Sequence, residues 1–294
     1  MQFTEPVFRA PQEARALLVR GTQGCTHNKC NFCYMSRGHI YGAASPEQFE
    51  QEVQSRKAAY PSDTRVYIVG SDTFSLPFEK LHTYARIIRK HIPDFAEISV
   101  QGRLAGVKRK SIDQLKQLSG SGIKHLYIGM ESGDDDALRF MNKGITAEET
   151  LEQMQRLDAA GIEYTAQCIM GLAGRGAART SGIASATLLN QVRPRRIMTT
   201  GLTVFPNAPL HEMVGSGAFV EASEREKVEE LMIFLGHLEV ETIFDATHYL
   251  NPVHFQLRTP HEKNEILAEL REFLADHSEE EIDRMANRKQ KSTV

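Results

Sequence analysis

Three of the four cysteines of this 294-residue chain fall within nine positions, in Gly24-Cys25-Thr26-His27-Asn28-Lys29-Cys30-Asn31-Phe32-Cys33-Tyr34. A thiolate group this tight binds a soft metal, forms a disulfide or does redox work. The spacing is C-x4-C-x2-C, with no fourth cysteine nearby. Iron–sulfur clusters are held by cysteine thiolates at such close loop spacings. Three thiolates can hold three irons of a [4Fe–4S] cube and leave the fourth iron open for a ligand, by the logic that separates catalytic from closed metal sites. The plainer alternatives are a structural zinc site that adds a histidine such as His27 or His39, and a disulfide.

Other polar residues gather where strands should end. In parallel α/β proteins the site lies at the carboxyl ends of the strands. The segments just past the successive expected strands are the cysteine stretch, then Gly70-Ser71-Asp72-Thr73, Arg103, Glu131-Ser132-Gly133 and Gly171-Leu172-Ala173-Gly174. Glycine lets a backbone approach a ligand closely, and Ser71 and Asp72 offer contacts to an ammonium group. Asp72 could equally be a helix cap. Glu131 at a strand end could accept hydrogen bonds from a ligand, or form a structural ion pair with Arg103 or Lys143. The planar fork of Arg103 suits a carboxylate. Cys168 reads as a core residue, since free cysteine behaves as a small hydrophobe.

These motifs resemble those of the radical S-adenosylmethionine (radical SAM) superfamily. Phe32 and Tyr34, flanking the last cysteine, fit its cluster loop, which usually has the spacing C-x3-C-x2-C; one extra residue stands between Cys25 and Cys30. Gly70-Ser71-Asp72 loosely matches the superfamily motif that binds the methionyl amino group of SAM. Tyr127-Ile128-Gly129-Met130-Glu131-Ser132-Gly133, with Leu138 and Met141-Asn142-Lys143-Gly144, resembles a segment of the branch containing tRNA methylthiotransferases, coproporphyrinogen dehydrogenase and elongator-type enzymes. Cys168-Ile169-Met170-Gly171-Leu172-Ala173-Gly174 resembles its fifth-strand segment, whose apolar residues pack on adenine, with Ala173 replacing a proline.

The resemblance implies that Cys25, Cys30 and Cys33 ligate a [4Fe–4S] cluster whose open iron takes SAM. Gly70, Ser71, Asp72, Phe32, Tyr34, Glu131, Ser132, Ile169 and Gly171 would line the SAM site, with Glu131 and Arg103 nearest the chemistry. One electron would then split SAM to methionine and a 5′-deoxyadenosyl radical, which takes hydrogen from a substrate. It further implies an electron donor such as a flavodoxin or ferredoxin, and oxygen sensitivity. No second cysteine-rich, cobalamin-binding or RNA-binding domain is visible in the sequence, so a small-molecule substrate is expected. The alternative is a non-catalytic zinc module, or a cluster enzyme that does not use SAM. His248 and Asn251, in Thr247-His248-Tyr249-Leu250-Asn251-Pro252, are candidates for substrate contact.

Alternating strands and helices must position these groups. Short apolar runs at 16–21, 65–70, 97–101, 125–130, 164–170 and 196–204 read as strands. Between them the sequence predicts helices over 46–58, 78–91, 111–119, 146–160 and 181–192, opened by Ser45, Ser111 and the Thr146–Glu149 capping box. Six such repeats argue for parallel βαβ units, either an open sheet or a partial barrel. The resemblance favours a (β/α)6 partial TIM barrel over residues 1–210. The pattern changes after Pro206, and residues 211–294 are expected to be a mainly helical C-terminal extension that closes it. Helices are expected over 224–238, 260–276 and 278–288, with a strand and turn in 239–250 and a frayed polar tail at 287–294.

Composition bounds the rest. Hydrophobic content of 41% and charged content of 25% are those expected of a soluble globular protein. A net charge of -3 gives no general reason to expect nucleic acid or an acidic membrane. The basic stretches 103–110 and 193–196 read as solvated element ends. The start lacks the pattern of a signal peptide, no apolar run reaches membrane-spanning length, and the cysteines do not make a secreted framework, so a reducing cytoplasm is expected.

Overall fold

A computed structural model describes residues 3–59 and 65–286. The expected polar tail at 287–294 lies outside the described residues. The chain is mixed α/β, with a mostly parallel sheet whose order is β1(Leu17–Arg20), β4(Val66–Val69), β5(Ile98–Gly102), β6(Ile123–Glu131), β7(Glu163–Met170), β8(Arg196–Gly201), β9(Thr242–Asp245) and β10(Gln256–Thr259). Two short strands, β2(Thr22–Gln23) and β3(Gly42–Ala43), pair antiparallel on either side of the cysteine stretch. The expected α/β class and strand–helix alternation hold.

The residues contact one another in two units. The first comprises Met1–Asn28, Met35–Gly129 and Gln153–Tyr164. In it β1 pairs parallel with β4, β4 with β5, and β5 with β6. All four side chains of β4 are buried, as a strand covered on both faces requires. Helices α1(Pro46–Arg56) and α2(Phe78–His91) meet through the Phe49 and Tyr84 rings, stacked with centroids 3.8 Å apart. Tyr84 also donates to Ala44 O at 2.7 Å, which ties α2 to the chain just after β3. The short α3(Leu104–Lys108) and then α4(Ile112–Gly120) follow β5. Ser45 with Gln48, and Ser111 with Gln114, form reciprocal capping boxes at α1 and α4, satisfying backbone donors that would otherwise lack partners.

The second unit comprises Lys29–Tyr34, Met130–Glu152 and Thr165–Val294. Within it β7 pairs parallel with β8 and β8 with β9, while β10 runs antiparallel to β9. Helix α5(Asp135–Phe140) follows β6, and α6(Ala147–Ala160) opens on the expected Thr146–Glu149 box. Helix α7(Ala178–Leu189) starts three residues earlier than its apolar spacing suggests and stops before Asn190. It lies against α9(Glu224–His237), so closely that a Cβ on Gly182 would stand 3.0 Å from Glu230 O. α8(Pro209–Gly215) precedes α9, and α10(Lys263–Asp276) and α11(Glu279–Ala286) bury Leu270, Leu274 and Ile282 against Val228 of α9. The C-terminal part is thus mainly helical, and it also contributes two strands to the sheet.

Candidate functional site

The cysteine stretch is best followed from its ends. In the first unit Gly24 adopts φ +71°, and a Cβ there would stand 2.9 Å from the Tyr41 backbone, so this turn requires glycine. Gly24 N–H donates to Glu5 Oε2 at 2.8 Å. Cys25 Sγ lies 4.0 Å from Asp72 Oδ2. Thr26 donates to the same oxygen through its backbone N–H, at 3.2 Å, and through its hydroxyl. Asp72 Oδ1 accepts from Ser75 Oγ at 2.6 Å and from Arg103 N–H at 3.1 Å.

Asp72 is therefore wholly buried with both oxygens engaged. It joins three strand ends: the cysteine stretch after β2, its own turn after β4, and the start of α3 after β5. That arrangement suits a carboxylate, whose two oxygens accept several donors. Ser71 donates to Glu5 Oε1 at 3.0 Å. Gly70 has φ +150° and packs so tightly that a Cβ would overlap the Thr22 hydroxyl, 1.8 Å away. Tyr41 donates to Asp72 O at 3.4 Å, and burial followed by the Asp72 charge pushes its phenol well above the usual range. His39 Nδ1 lies 3.3 Å from Thr4 Oγ1.

In the second unit the stretch 29–34 is held by the turn after α5. Asn31 N–H donates to Met141 O at 2.9 Å and its side chain to Phe140 O at 2.6 Å. Asn142 Nδ2 donates to Lys29 O at 3.1 Å, and Leu210 N–H to Asn31 O at 2.9 Å. This gives Met141 and Asn142 a physical role in shaping the cysteine stretch. Cys33 N–H closes a turn on Cys30 O at 3.3 Å. Phe32 and Ile169 pack on an apolar cluster of Met141, Leu172, Leu202, Leu210 and Phe219. Tyr34 stacks on Phe205 with centroids 3.8 Å apart, and its half-buried phenol is pushed upward, mainly by burial.

Glu131 ends β6 with φ +67°, a backbone conformation that costs a non-glycine residue energy. Its Oε1 meets Lys143 Nζ at 2.5 Å, both side chains being nearly buried. Of the two roles the sequence allows, the ion pair with Lys143 is present. Ser132 Oγ lies 3.2 Å from Ser181 Oγ and accepts from Asp134 N–H. Gly133 N–H donates to Ser185 Oγ at 2.9 Å. Gly171, at φ +81°, donates its N–H to Glu230 Oε2 at 2.6 Å, and Ser181 Oγ donates to Glu230 Oε1 at 2.6 Å. One carboxylate on α9 thus reaches the turn after β7 directly and the end of β6 through two serines. Its burial is nearly complete, and this, with Asp134 adding to it, raises its pKa from 4.5 to about 7 against the opposing pull of its two hydrogen bonds and of Lys227. Lys227 itself donates to Leu202 O at 2.9 Å and to Glu224 Oε1 at 2.7 Å.

Cys168 is buried in β7, and burial, then Glu131 and Glu230, push its thiol far up, which fits a core role. His248 Nδ1 accepts from Leu250 N–H at 3.3 Å. Asn251 is buried and donates to both Thr199 O and Ala246 O at 2.8 Å, so its amide pins the loop after β9. Glu5, Lys227 and Glu230 escape sequence reading. The α9 spacing held a signal, because Lys227 and Glu230 fall on the same stripe as Leu231 and Phe234, where an apolar face is expected. No such pattern marks Glu5.

None of the four cysteines is in a disulfide; Cys30 and Cys168 are buried and Cys25 and Cys33 partly exposed. Among the described residues, no three His, Cys, Asp or Glu side chains stand together as a metal-holding group. The donor chemistry nonetheless fits an iron–sulfur cluster, because three cysteines outside any disulfide fall within nine residues. Among the described residues, no helix is long and apolar enough to cross a membrane.

Comparison with known proteins gives three concordant results. The sequence profile described as the Radical SAM superfamily matches residues 19–178. The chain is 25% identical over 221 residues to tRNA-2-methylthio-N(6)-dimethylallyladenosine synthase of Geobacter sulfurreducens, covering 71% of this chain and 46% of that enzyme. Among solved structures it resembles the cobalamin-dependent S-adenosylmethionine radical enzyme OxsB, with TM-score 0.57 and 16% identity over 69% of this chain and 35% of the other. It also resembles Elp3 of the archaeon Methanocaldococcus infernus, with TM-score 0.52 and 14% identity over 88% of this chain and 63% of that one. The chain therefore spans less than half the length of the synthase it matches.

Proposed function

We propose, from the premise that this chain belongs to the radical SAM superfamily, that it is a radical SAM enzyme in which Cys25, Cys30 and Cys33 hold a [4Fe–4S] cluster. The observation that carries this reading is the C-x4-C-x2-C spacing of three cysteines, none in a disulfide, inside the matched region. The chemistry such a cluster supplies is one electron, which splits SAM into methionine and a 5′-deoxyadenosyl radical able to take a hydrogen atom.

The chain's own residues would hold and orient. Asp72 and the turn after α5 fix the two parts of the cysteine stretch. The Gly70-Ser71 backbone, the Arg103 fork and the Glu131-Ser132 strand end would receive the polar groups of SAM, with Asp72 supporting them through Arg103 N–H. Phe32, Tyr34, Ile169 and Gly171 would supply apolar contact and close backbone approach. A small-molecule substrate in a reducing, cytoplasmic setting, and a flavodoxin- or ferredoxin-type electron donor, complete the proposal.

The test is anaerobic reconstitution with iron and sulfide, addition of SAM and dithionite, and measurement of 5′-deoxyadenosine by mass spectrometry. The wild-type chain should form it, and Cys30→Ala should lose both iron and SAM cleavage while keeping its circular dichroism. A wild-type chain that binds stoichiometric zinc and no iron, or a Cys30→Ala variant that cleaves SAM at the full rate, refutes the proposal.

A further inference from the structure

We infer that Glu5 is a positioning residue that fixes the base of the cysteine stretch. This inference rests on the reading of that stretch as the cluster loop. Glu5 precedes β1 and is 5% exposed. A carboxylate so buried is costly unless donors satisfy it. Three do, and each comes from a different part of the chain. Gly24 N–H donates to Oε2 at 2.8 Å, Ser36 Oγ to Oε1 at 2.7 Å, and Ser71 Oγ to Oε1 at 3.0 Å.

The positions of those donors matter more than their number. Gly24 stands immediately before Cys25, and Ser36 stands three residues after Cys33. One side chain therefore grips the stretch where it begins and where it ends. Ser71 adds the turn after β4, next to Asp72, which binds Thr26. Further bonds close the same base: Asn28 Nδ2 donates to Ser36 O at 3.0 Å, and Arg37 Nη1 donates to Asn28 O at 3.0 Å. Asn28 sits at φ +48°, a conformation that asparagine tolerates and that this bond rewards. The segment carrying Glu5 is itself anchored, because Arg20 Nη1 donates to Glu5 O at 3.0 Å. Remove the carboxylate and the Gly24 N–H is left buried without an acceptor, while two serines lose their common partner.

The chemistry of the donors sets the choice of variants. A glutamine at this position presents its oxygen to Gly24 N–H and its amide hydrogens to the two serine hydroxyls, which accept as readily as they donate. Glu5→Gln should therefore preserve the base, and Glu5→Leu should release it. The readout is the alkylation rate of each cysteine in the iron-free, reduced chain, resolved by mass spectrometry of peptides. Cys168, buried in β7, is the internal control for global unfolding.

In Glu5→Leu, alkylation of Cys25, Cys30 and Cys33 should accelerate about tenfold or more, equivalent to about 1.4 kcal/mol of easier local opening, with Cys168 unchanged. Iron uptake on anaerobic reconstitution should fall in parallel, and Glu5→Gln should restore both. Equal thiol rates in Glu5→Leu and wild type, or acceleration that includes Cys168 to the same degree, overturns the inference. If Glu5→Leu does not fold, the milder Ser36→Ala variant takes its place, with the same pattern at a smaller size. A wild-type chain that takes up no iron overturns the cluster reading instead, and the thiol rates still decide the role of Glu5.

Discussion

Replacing Glu230 by glutamine should alter the pH dependence of stability in a calculable way. The carboxyl is nearly fully buried and its pKa is raised from 4.5 to about 7. Between those values the folded chain holds a proton that the unfolded chain has released. Stability therefore falls as pH rises from about 4.5 through about 7 and then levels off. The displacement corresponds to about 3 kcal/mol over that window. The groups that set it are Asp134, which raises the pKa, and Lys227, Ser181 and the Gly171 N–H, which lower it less than burial raises it. Glutamine mimics the protonated acid: its oxygen can accept from Gly171 N–H, and its amide can donate to Ser181 Oγ. The variant and the wild type should be about equally stable near pH 4, and the variant more stable by about 3 kcal/mol near pH 8.5. Urea unfolding of both chains across that range measures the difference, and other titrating groups cancel in it. Parallel stability curves, with a constant offset from pH 4 to 8.5, would falsify the assignment of a buried, neutralised Glu230.

Two further outcomes are expected at the site. Lys143→Met strands the buried Glu131 carboxylate and should cost roughly 3–5 kcal/mol in urea unfolding at pH 7; adding Glu131→Gln should recover most of it, and additive losses would show that the pair is not coupled. Gly171→Ala must adopt φ +81° and bring its Cβ to 2.9 Å from Lys227 Cε, so it should lose about 1–3 kcal/mol, whereas an unchanged denaturation midpoint would mean that the turn after β7 relaxes freely.

The parts of the structure that are legible in the sequence are those written in short-range chemistry. Ser45, Ser111 and the Thr146–Glu149 box announce helix starts, and each caps its helix; Gln48 and Gln114 complete the first two boxes in the fold. The apolar runs of β4 and β7 announce buried strands. Glu131 is legible as a charged strand end with two possible roles, and only the folded chain brings Lys143 to it, 12 residues on. Glu5 is illegible because its donors lie 19, 31 and 66 residues away and no periodic pattern links them. Asp72 illustrates a third case. Its position after a strand is evident, but that its two oxygens accept donors from two other strand ends is visible only in the folded chain. The strand β10 is missed for a simpler reason: it is four residues long and alternates exposed and buried side chains, a signal too brief to stand out from a loop.

The division into two units has a consequence for dissecting the molecule. Along the sequence, the chain leaves one unit for the other five times, after Asn28, Tyr34, Gly129, Glu152 and Tyr164. Neither unit is a contiguous stretch, so no single cut yields one of them whole. A fragment ending after β6 lacks 153–164 of the first unit, and one beginning at β7 lacks both 29–34 and 130–152 of the second. Such interleaving makes formation of each unit depend on contacts distant in sequence, which slows folding. Truncated chains should therefore aggregate where point variants stay soluble, and residue function in this protein is better mapped by substitution than by deletion.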